Sequence, residues 1–443
     1  MTDPATAPKQ VRPPKMSRSV LITVFGNLFP SFAALASGPI LAHALGVDGR
    51  GIVAAATAPL TLVTTVATFG IPEAATYTAA RYPGLARMTV ARATTLTAIA
   101  GVCAMAAVFC AAGWLSGGSS QVHRLMLIAV LAVVPNLLVG VLRGVASAHH
   151  LWGRVALERI FASGLRLLAL LPFWLTGHLN PMVATVILAV MPLMGALAYL
   201  GLFRRFAEPV DDVRGDARYK ALIGYGMRTW IGSISGILLS RLDQTLMTPL
   251  TGSYQLGLYV IAVTVSELPL IINGSVRDVT FASDASDSAD DRLAAAARLS
   301  FFLSSSFAVC IATTMWWWIP RLFGAGFEPS VQVALILLVA VSLGTPGSIG
   351  GAGLSARGRP GLRSASLVVA CVVNVVLLLV LVPDLGAVGA AFATLAGNVL
   401  SSNLNLIFLQ RFFGVPVRTF YGLRRSDLDL LLRLLSSVRR RSR

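Results

Sequence analysis

The chain has 443 residues, of which 56% are hydrophobic and only 12% are charged, and its mean hydropathy is +0.75. An ordinary soluble domain carries about 25% charged residues, so this composition excludes that class. In a soluble protein the net charge of +17 would suggest a nucleic-acid partner. Here the basic residues cluster in alternate loops between apolar runs, so we predict no nucleic-acid partner. Apolar runs of about 20 residues predict an all-α polytopic membrane protein.

About twelve transmembrane helices are predicted along the chain. In chain order they cover residues 19–44, 51–78, 89–115, 124–148, 155–177, 181–203, 221–249, 255–279, 299–322, 330–354, 364–384 and 388–412. The loops after every second helix hold most of the arginines, so the positive-inside rule places both termini in the cytoplasm, with the protein in the cytoplasmic (inner) cell membrane. Residues 1–18 are a cytoplasmic N-terminal tail, and residues 414–443 a basic amphipathic C-terminal tail expected on the inner leaflet.

An internal repeat is predicted from two similar segments. "LGVDGRGIVAAATAPLTLV" begins at Leu45 and "TGSYQLGLYVIAVTVSELPLI" begins at Thr251, and sliding one over the other places Gly51 on Gly257. Two six-helix lobes, residues 19–203 and 221–413, would then be related by a parallel repeat, with a cytoplasmic linker at residues 204–220. Paired lobes around a central cavity are a transporter architecture. Chance matching of small residues in apolar helices is the alternative.

Charged and amide side chains inside the predicted spans are the candidate functional residues. Burying a charge at the centre of a span costs roughly 2.5–3.5 kcal/mol, so such residues usually face a bundle interior or a water-filled cavity. The candidates for a substrate-binding or translocation cavity are Arg241, Asp243, Arg166, Arg143, Glu73, Asn27 and Asn374.

Several of these candidates also have a structural interpretation. Arg241 and Asp243 lie about 200° apart around a helix, so at least one of them needs a partner elsewhere. Snorkelling to the outer headgroups is the alternative for Arg241, helix anchoring for Arg143, and interhelical hydrogen bonding for the asparagines. The sequence has no phosphate loop, catalytic carboxylate pair, nucleophile constellation or metal cluster, which predicts a non-enzymatic protein without cofactor or metal. The four cysteines are expected to be small buried hydrophobes.

Two stretches resemble bacterial polysaccharide-unit flippases, which belong to the multidrug/oligosaccharidyl-lipid/polysaccharide exporter superfamily. The first, "YGMRTWIGSISGILLSRLDQTLMTPLTGSYQLGLYVIAVTVSELP", holds an Arg-x-Asp pattern at Arg241 and Asp243 and then a Gly-x-x-x-x-Gly-x-Tyr turn ending at Tyr259. The second is "NVVLLLVLVPDLGAVGAAFATLAGN", from Asn374 to Asn398. The resemblance implies two six-helix lobes in an alternating-access exporter fold. It also implies movement of an undecaprenyl-diphosphate-linked oligosaccharide from the inner to the outer leaflet.

A flippase for surface polysaccharide synthesis is therefore the expected function. Arg241 and Arg166 are expected to attract the diphosphate or acidic sugars, while Asp243 positions Arg241 or gates. The expected partners are a polyprenyl-diphosphate-linked glycan and membrane lipids, with a polysaccharide polymerase or glycosyltransferases as further candidates. Coupling to protons, sodium or the membrane potential is left open.

Three other functions compete with this one. A cation-coupled multidrug antiporter would need an acidic cavity, for which Glu73 is the carboxylate available in the spans of the first lobe. A peptidoglycan-precursor lipid flippase is the second alternative, although the first predicted helix lacks the charge typical of that branch. A non-transporting scaffold that recruits glycosyltransferases through the basic tail is the third.

Overall fold

The structure, a computed structural model, describes residues 16–201, 218–286, 289–422, 424 and 427. Within these ranges the chain forms α-helices joined by short turns, and they contain no strand. The helices, in chain order, are α1 (Met16–Val66), α2 (Ile71–Arg81), α3 (Ala86–Leu115), α4 (Ser120–Val130), α5 (Val133–Ala148), α6 (Trp152–Leu175), α7 (Pro181–Met194), α8 (Tyr219–Thr251), α9 (Ser253–Ser266), α10 (Leu268–Ser286), α11 (Asp290–Phe323), α12 (Ser330–Ala356) and α13 (Pro360–Phe413). Most of the predicted N-terminal tail and linker, and the C-terminal tail beyond residue 427, lie outside the described residues.

The two longest helices are each broken by a glycine. α1 has 51 residues and α13 has 54, which is roughly 75–80 Å if straight, whereas a bilayer core is about 30 Å thick. Gly46 in α1 and Gly386 in α13 have φ values of 66° and 56°, which glycine adopts without a steric penalty. α13 folds back on itself at Gly386. The two arms meet where Ser366 Oγ donates a hydrogen bond to Asn405 Oδ1 at 2.6 Å. Both breaks fall where the sequence predicts a boundary.

Other predicted helices are interrupted in the structure. The second ends at Val66 and restarts as α2, since Phe69 and Gly70 both adopt positive φ (44° and 66°) directly before the Ile71–Pro72 start of the next helix. The fourth is divided into α4 and α5, and the eighth bends by 45° between α9 and α10. Among the described residues, seven helices, or eight if that bent pair is one span, are long and apolar enough to cross a membrane. The count of twelve spans stays a prediction.

Small residues let the helices pack closely. A Cβ atom on Gly26 would lie only 2.8 Å from the Cβ of Ala156, so α1 and α6 touch through their backbones there. In lipid no hydrophobic force drives helices together, and close van der Waals packing takes its place. For the same reason an apolar side chain loses little by facing lipid. Three of the four cysteines are exposed on the helix surfaces, so the prediction that they are buried is wrong.

The two glycines matched by the predicted repeat face each other in the structure. A Cβ atom on Gly51 would overlap the carbonyl oxygen of Ser253 and lie 3.1 Å from the nitrogen of Gly257. Reciprocally, a Cβ atom on Gly257 would overlap the carbonyl oxygen of Val47 and lie 3.2 Å from the nitrogen of Gly51. Ser253 occupies the position that corresponds to Val47 in the repeat. Such exchanged contacts are what a two-fold relation produces, although the repeat itself stays a prediction.

The chain after α13 folds back onto the predicted cytoplasmic ends of α11, α12 and α13. Val415 and Phe420 are buried in a hydrophobic cluster with these helices. Arg298 donates from Nε and Nη2 to the two carboxylate oxygens of Asp427 at 2.7 Å each, and from Nη1 to the carbonyl of Thr419 at 2.6 Å. Neither side chain of the Arg298–Asp427 pair is more than 4% exposed. These hydrogen bonds from the guanidinium lower the pKa of the Asp427 carboxyl.

Asp427→Asn is expected to release residues 414–422 from the helices. Removing one partner of a buried ion pair costs about 3–5 kcal/mol, because the remaining charge is left unpaired. Local undocking relieves this cost by bringing Arg298 into water, so the membrane helices should stay folded. Hydrogen–deuterium exchange of residues 414–422 should therefore become at least about tenfold faster.

The same release is expected at low pH. A carboxyl with a lowered folded-state pKa contributes stability above its unfolded pKa of about 3.9 and loses that contribution as the pH falls through the folded value. Exchange at residues 414–422, corrected for its intrinsic pH dependence, should therefore rise below about pH 4.

Asp278→Asn is the matched control for Asp427→Asn, because Asp278 is 73% exposed in its pair with Arg277. Equal exchange in both variants would contradict the prediction.

Candidate functional site

A cavity of about 290 Å³, lined by both apolar and polar side chains, lies within the C-terminal half, which comprises α8–α13. Asp243, on α8, lines it and is only 3% exposed. The hydroxyl of Tyr259, on α9, donates a hydrogen bond to one carboxylate oxygen of Asp243, and the backbone N–H of Gln244 donates to the other at 2.7 Å. The hydroxyls of Tyr259 and Thr394 are 3.1 Å apart. In the described part of the chain Asp243 is thus held by neutral donors and has no salt bridge.

Arg241 pairs with a different acid. Its Nη2 lies 3.3 Å from Oε1 of Glu267, at the bend between α9 and α10, and both side chains are close to half exposed. Glu267 lines the same cavity as Asp243, so the Arg241–Glu267 pair stands at its edge. The two charges of the Arg-x-Asp pattern therefore have separate partners, as their positions on the helix require. An arginine already paired with a carboxylate attracts an anion less strongly than an unpaired one.

Asn374 is fully buried in the first half of α13, and within the described ranges neither its amide nitrogen nor its oxygen has a hydrogen-bond partner. A Cβ atom on Gly397 would lie 3.2 Å from the Cβ of Asn374 and 2.9 Å from Cδ1 of Leu239. Leu239 is one helical turn before Asp243, so Asn374 packs on the same part of the bundle as α8, although it does not line the cavity. A buried amide without partners among the described residues is uncommon and marks Asn374 as a residue to test.

A second cavity, of about 560 Å³, lies where the N-terminal half, α1–α7, meets α8. It brings together Glu73 and Arg143 of the predicted site and adds Arg159, on α6. Arg143 donates from Nε and Nη2 to the two carboxylate oxygens of Glu158 at 2.9 Å each, and the Tyr199 hydroxyl donates to Glu158 at 3.3 Å. Glu158, 3% exposed, was not among the predicted residues. This bidentate pair supports the anchoring interpretation of Arg143.

Three arginines form what we call the arginine track: Arg159, which lines this cavity, and Arg166 and Arg50, which lie beyond it. Arg159 and Arg166 share a face of α6 and are about 10 Å apart along it, and Arg50 lies near enough to Arg166 for mutual repulsion. No carboxylate among the described residues forms a salt bridge with any of the three. The Nε atoms of Arg50 and Arg166 are also shielded from solvent and, within the same ranges, have no hydrogen-bond partner.

The helix face that carries Arg50 continues as a row of threonines. Thr57 and Thr61 follow on the same face of α1 after about two and three turns. Thr65 and Thr68 line the N-terminal cavity at the end of the row. This polar face therefore connects the cavity to Arg50.

Two residues of the N-terminal half remain to be placed: Arg50, which was not in the predicted site, and Asn27, which was. Arg50 was assigned to a loop in the sequence, and its helical spacing to the threonines of α1 is the signal that would have found it. Asn27, the remaining predicted residue, lies in α1, and its side chain is outside the described part of the chain.

The comparisons with known proteins agree with this architecture. A family model described as polysaccharide biosynthesis protein matches residues 16–281. The fold is similar to that of the lipid II flippase MurJ in an inward closed conformation, with a TM-score of 0.71, 11% identity, and coverage of 95% of this chain and 93% of that chain. It is also similar to an inward-facing multidrug resistance MATE family transporter of the MOP superfamily, with a TM-score of 0.65, 14% identity, and coverage of 90% and 100%.

A third solved structure, the MATE multidrug transporter DinF-BH, gives a TM-score of 0.60 at 14% identity, over 95% of this chain and 99% of that chain. No curated protein sequence matches the chain. At these identities the solved structures establish the fold, while the family model, which covers more than half of the chain, establishes the family. The chain is a multi-pass membrane protein with the fold of the MATE and MurJ transporters, and it belongs to the polysaccharide biosynthesis protein family.

Proposed function

We propose that the protein flips an undecaprenyl-diphosphate-linked oligosaccharide from the inner to the outer leaflet of the cytoplasmic membrane. The arginine track is the observation that carries this proposal. Arg50 and Arg166 are two neighbouring, partly buried cations without a described carboxylate partner, an arrangement that an anion between them would stabilise. A diphosphate supplies that anion, because its oxygens match the planar guanidinium fork in geometry and charge.

The positions of the charges suggest a path for the headgroup. The diphosphate enters the N-terminal cavity beside Arg159, moves about two helical turns along α6 to Arg166, and then reaches Arg50. The threonine row on α1 offers hydroxyl groups to the sugars along the same route. The polyprenyl tail stays in lipid, so protein side chains need to replace the hydration water of the polar headgroup only.

The membrane potential can drive this movement without a nucleotide. An inside-negative potential contributes about 2.3 kcal/mol per elementary charge per 100 mV. An anion with two charges that moves outwards therefore gains roughly 4–5 kcal/mol per 100 mV.

Translocation in proteoliposomes tests the proposal. A fluorescent undecaprenyl-diphosphate oligosaccharide is reconstituted with the purified protein, and its leaflet is scored by access of a membrane-impermeant quencher. Movement that accelerates when the potential favours outward transfer of an anion is the expected result. A peptidoglycan-precursor lipid and a cationic dye are run in parallel. Transport of either one in place of the oligosaccharide lipid would overturn the assignment.

A cation-coupled exporter is the second candidate, and the geometry around Asp243 favours it. The carboxylate of Asp243 and the hydroxyls of Tyr259 and Thr394 present oxygen ligands of the kind that a hard cation prefers. A proton on Asp243 is the alternative coupling ion. Either ion in this C-terminal cavity could drive export of the anionic lipid or of a cationic drug.

Asp243→Asn is expected to abolish any acceleration of transport by a sodium or proton gradient. Asparagine keeps the size of the side chain and an acceptor for Tyr259, but it removes the charge that a cation needs. The transport rate with and without the gradient should then agree within about twofold. Asp384→Asn, at an exposed aspartate of the same half, is the control and should keep the acceleration. Equal acceleration in wild type and Asp243→Asn would exclude this site.

A further inference from the structure

A cleft of about 610 Å³ opens between α2 and the first turns of α8. It adjoins the N-terminal cavity, with which it shares Glu73, Thr76 and Thr229. Its volume lies within the range of about 300–1,000 Å³ that is usual for small-molecule sites. The cleft is therefore placed beside the route that leads to the arginine track.

One face of α2 presents three chemically different groups to this cleft. Glu73, Tyr77 and Arg81 are spaced four residues apart and so stand in a row along the helix. Tyr77 stacks on Tyr225, from α8, with ring centroids 4.4 Å apart and an interplanar angle of 15°. Tyr225 is half-buried behind it, while 43% of Tyr77 is exposed. The row thus offers an aromatic ring flanked by a carboxylate and a guanidinium group.

The cleft is held in shape by contacts between the two halves. The indole N–H of Trp230 donates to the carbonyl of Val66 at 2.7 Å, which is possible because the helix breaks directly after Val66. The Phe69 ring lies 5.1 Å from the Trp230 ring, and a Cβ atom on Gly226 would lie 2.6 Å from the Phe69 carbonyl oxygen. These contacts fix α2 against α8, so that Tyr77 and Tyr225 keep their register. The cleft has this shape in the conformation in which the two halves meet at α2 and α8.

We propose that this cleft binds one pyranose ring of the transported glycan, an inference that rests on the proposed function. A pyranose has an apolar C–H face and a rim of hydroxyls. The C–H face packs on the exposed face of Tyr77, while the hydroxyls bond to Glu73 and Arg81. The cleft would make translocation depend on the sugar and not on the diphosphate alone.

Two soluble probes separate the sugar cleft from the arginine track. Purified protein in nanodiscs is titrated with inorganic pyrophosphate and with a panel of methyl glycosides of hexoses, hexosamines, deoxyhexoses and uronic acids, followed by saturation-transfer NMR. Wild type is expected to bind both probes. Tyr77→Leu should weaken binding of the preferred glycoside by about tenfold and leave pyrophosphate binding unchanged. Arg50→Gln combined with Arg166→Gln should do the opposite.

Two controls distinguish ligand contact from a structural role. Tyr77→Phe keeps the ring and should bind the glycoside within about twofold of wild type. Tyr254→Leu removes a tyrosine with the same 43% exposure on α9 and should have no effect on either probe.

The outcomes also separate the two proposals. Pyrophosphate binding without binding of any glycoside, or glycoside binding that survives Tyr77→Leu, overturns the sugar cleft and leaves the proposed function standing. Loss of pyrophosphate binding together with glycoside binding in Tyr77→Leu also overturns the cleft, since the proposal requires the two sites to be separable. A wild-type protein that binds neither probe overturns both.

Discussion

Replacing Arg50 and Arg166 together by glutamine is expected to slow translocation of the undecaprenyl-diphosphate oligosaccharide by about 100-fold or more. A hydrogen bond to a charged group contributes about 1.5–3 kcal/mol, so losing two of them raises the barrier by about 3–6 kcal/mol. Glutamine keeps a similar length and an N–H donor, which isolates the effect of charge. The initial rate of quencher protection in proteoliposomes measures the change.

The same substitutions should stabilise the protein in the absence of cargo. Arg50 and Arg166 are neighbouring like charges, so we expect them to repel each other, and both are partly buried without a salt bridge to any of the described residues. Arg50→Gln alone removes this repulsion and is expected to raise the free energy of unfolding by about 1 kcal/mol. A purely structural arginine would give the opposite sign, because its loss would leave polar partners unsatisfied.

Arg321→Gln is the matched control for charge. Arg321 lies at the end of α11 with its guanidinium over the Trp317 ring, 4.8 Å from the centroid, and it is not part of the arginine track. Its substitution should leave the translocation rate within about twofold of wild type. If the Arg50 and Arg166 double variant transports as fast as this control, the anion path along α6 is wrong.

The class of fold was predictable because membranes restrict the solutions. Spans of about 20 apolar residues can only be helices when they carry no alternating pattern. The breaks at Gly46 and Gly386 were also predictable, since each follows a long apolar run and begins another. The break at Phe69 was not, because an aromatic residue in the left-handed region depends on contacts with Trp230 that only the folded chain provides.

The candidate site was predictable in its residue types more than in its partners. The sequence showed that Arg241 and Asp243 point to different sides of the helix and need separate partners. In the structure Arg241 pairs with Glu267, and Asp243 accepts a hydrogen bond from Tyr259. It could not identify Glu158 as the partner of Arg143, because bidentate pairing depends on how two helices are rotated against each other. Arg50 was missed because the sequence predicts a loop between residues 44 and 51. In the structure the break is confined to Gly46, and Arg50 already lies in the helix that follows it.

The exposed cysteines show a limit of the same kind. Hydropathy reports that a residue avoids water, but lipid and protein interior are equally apolar for a small side chain. No sequence pattern in a uniformly apolar helix therefore distinguishes its lipid-facing side from its packed side. Polar residues at helical spacing, such as the threonine row on α1, are the usable signal for the inner face.

Gly51→Val is expected to reduce translocation by about 10- to 100-fold through a change in conformation and not in the site. A Cβ atom there would overlap the carbonyl of Ser253, and α9 cannot yield because its backbone makes the contact. Forcing added atoms into such a contact costs about 1–3 kcal/mol, which destabilises the conformation in which the two halves touch at their predicted outer ends. The population then shifts towards conformations in which this contact is open.

Spin labels at Asp48 and Tyr254, exposed residues beside this contact on its two sides, report the shift as a longer distance between α1 and α9. Gly257→Val should produce the same change, because Gly257 makes the reciprocal contact with Val47. Gly113→Val is the control, since a Cβ atom at that position in α3 meets nothing within 4 Å. If the contact is two-fold related, Gly51→Val and Gly257→Val should both lengthen the distance between the spin labels and should slow transport to the same extent. Slow transport with an unchanged distance between the labels would instead place the defect in the headgroup path. The glycine contact would then have no role in the conformational change.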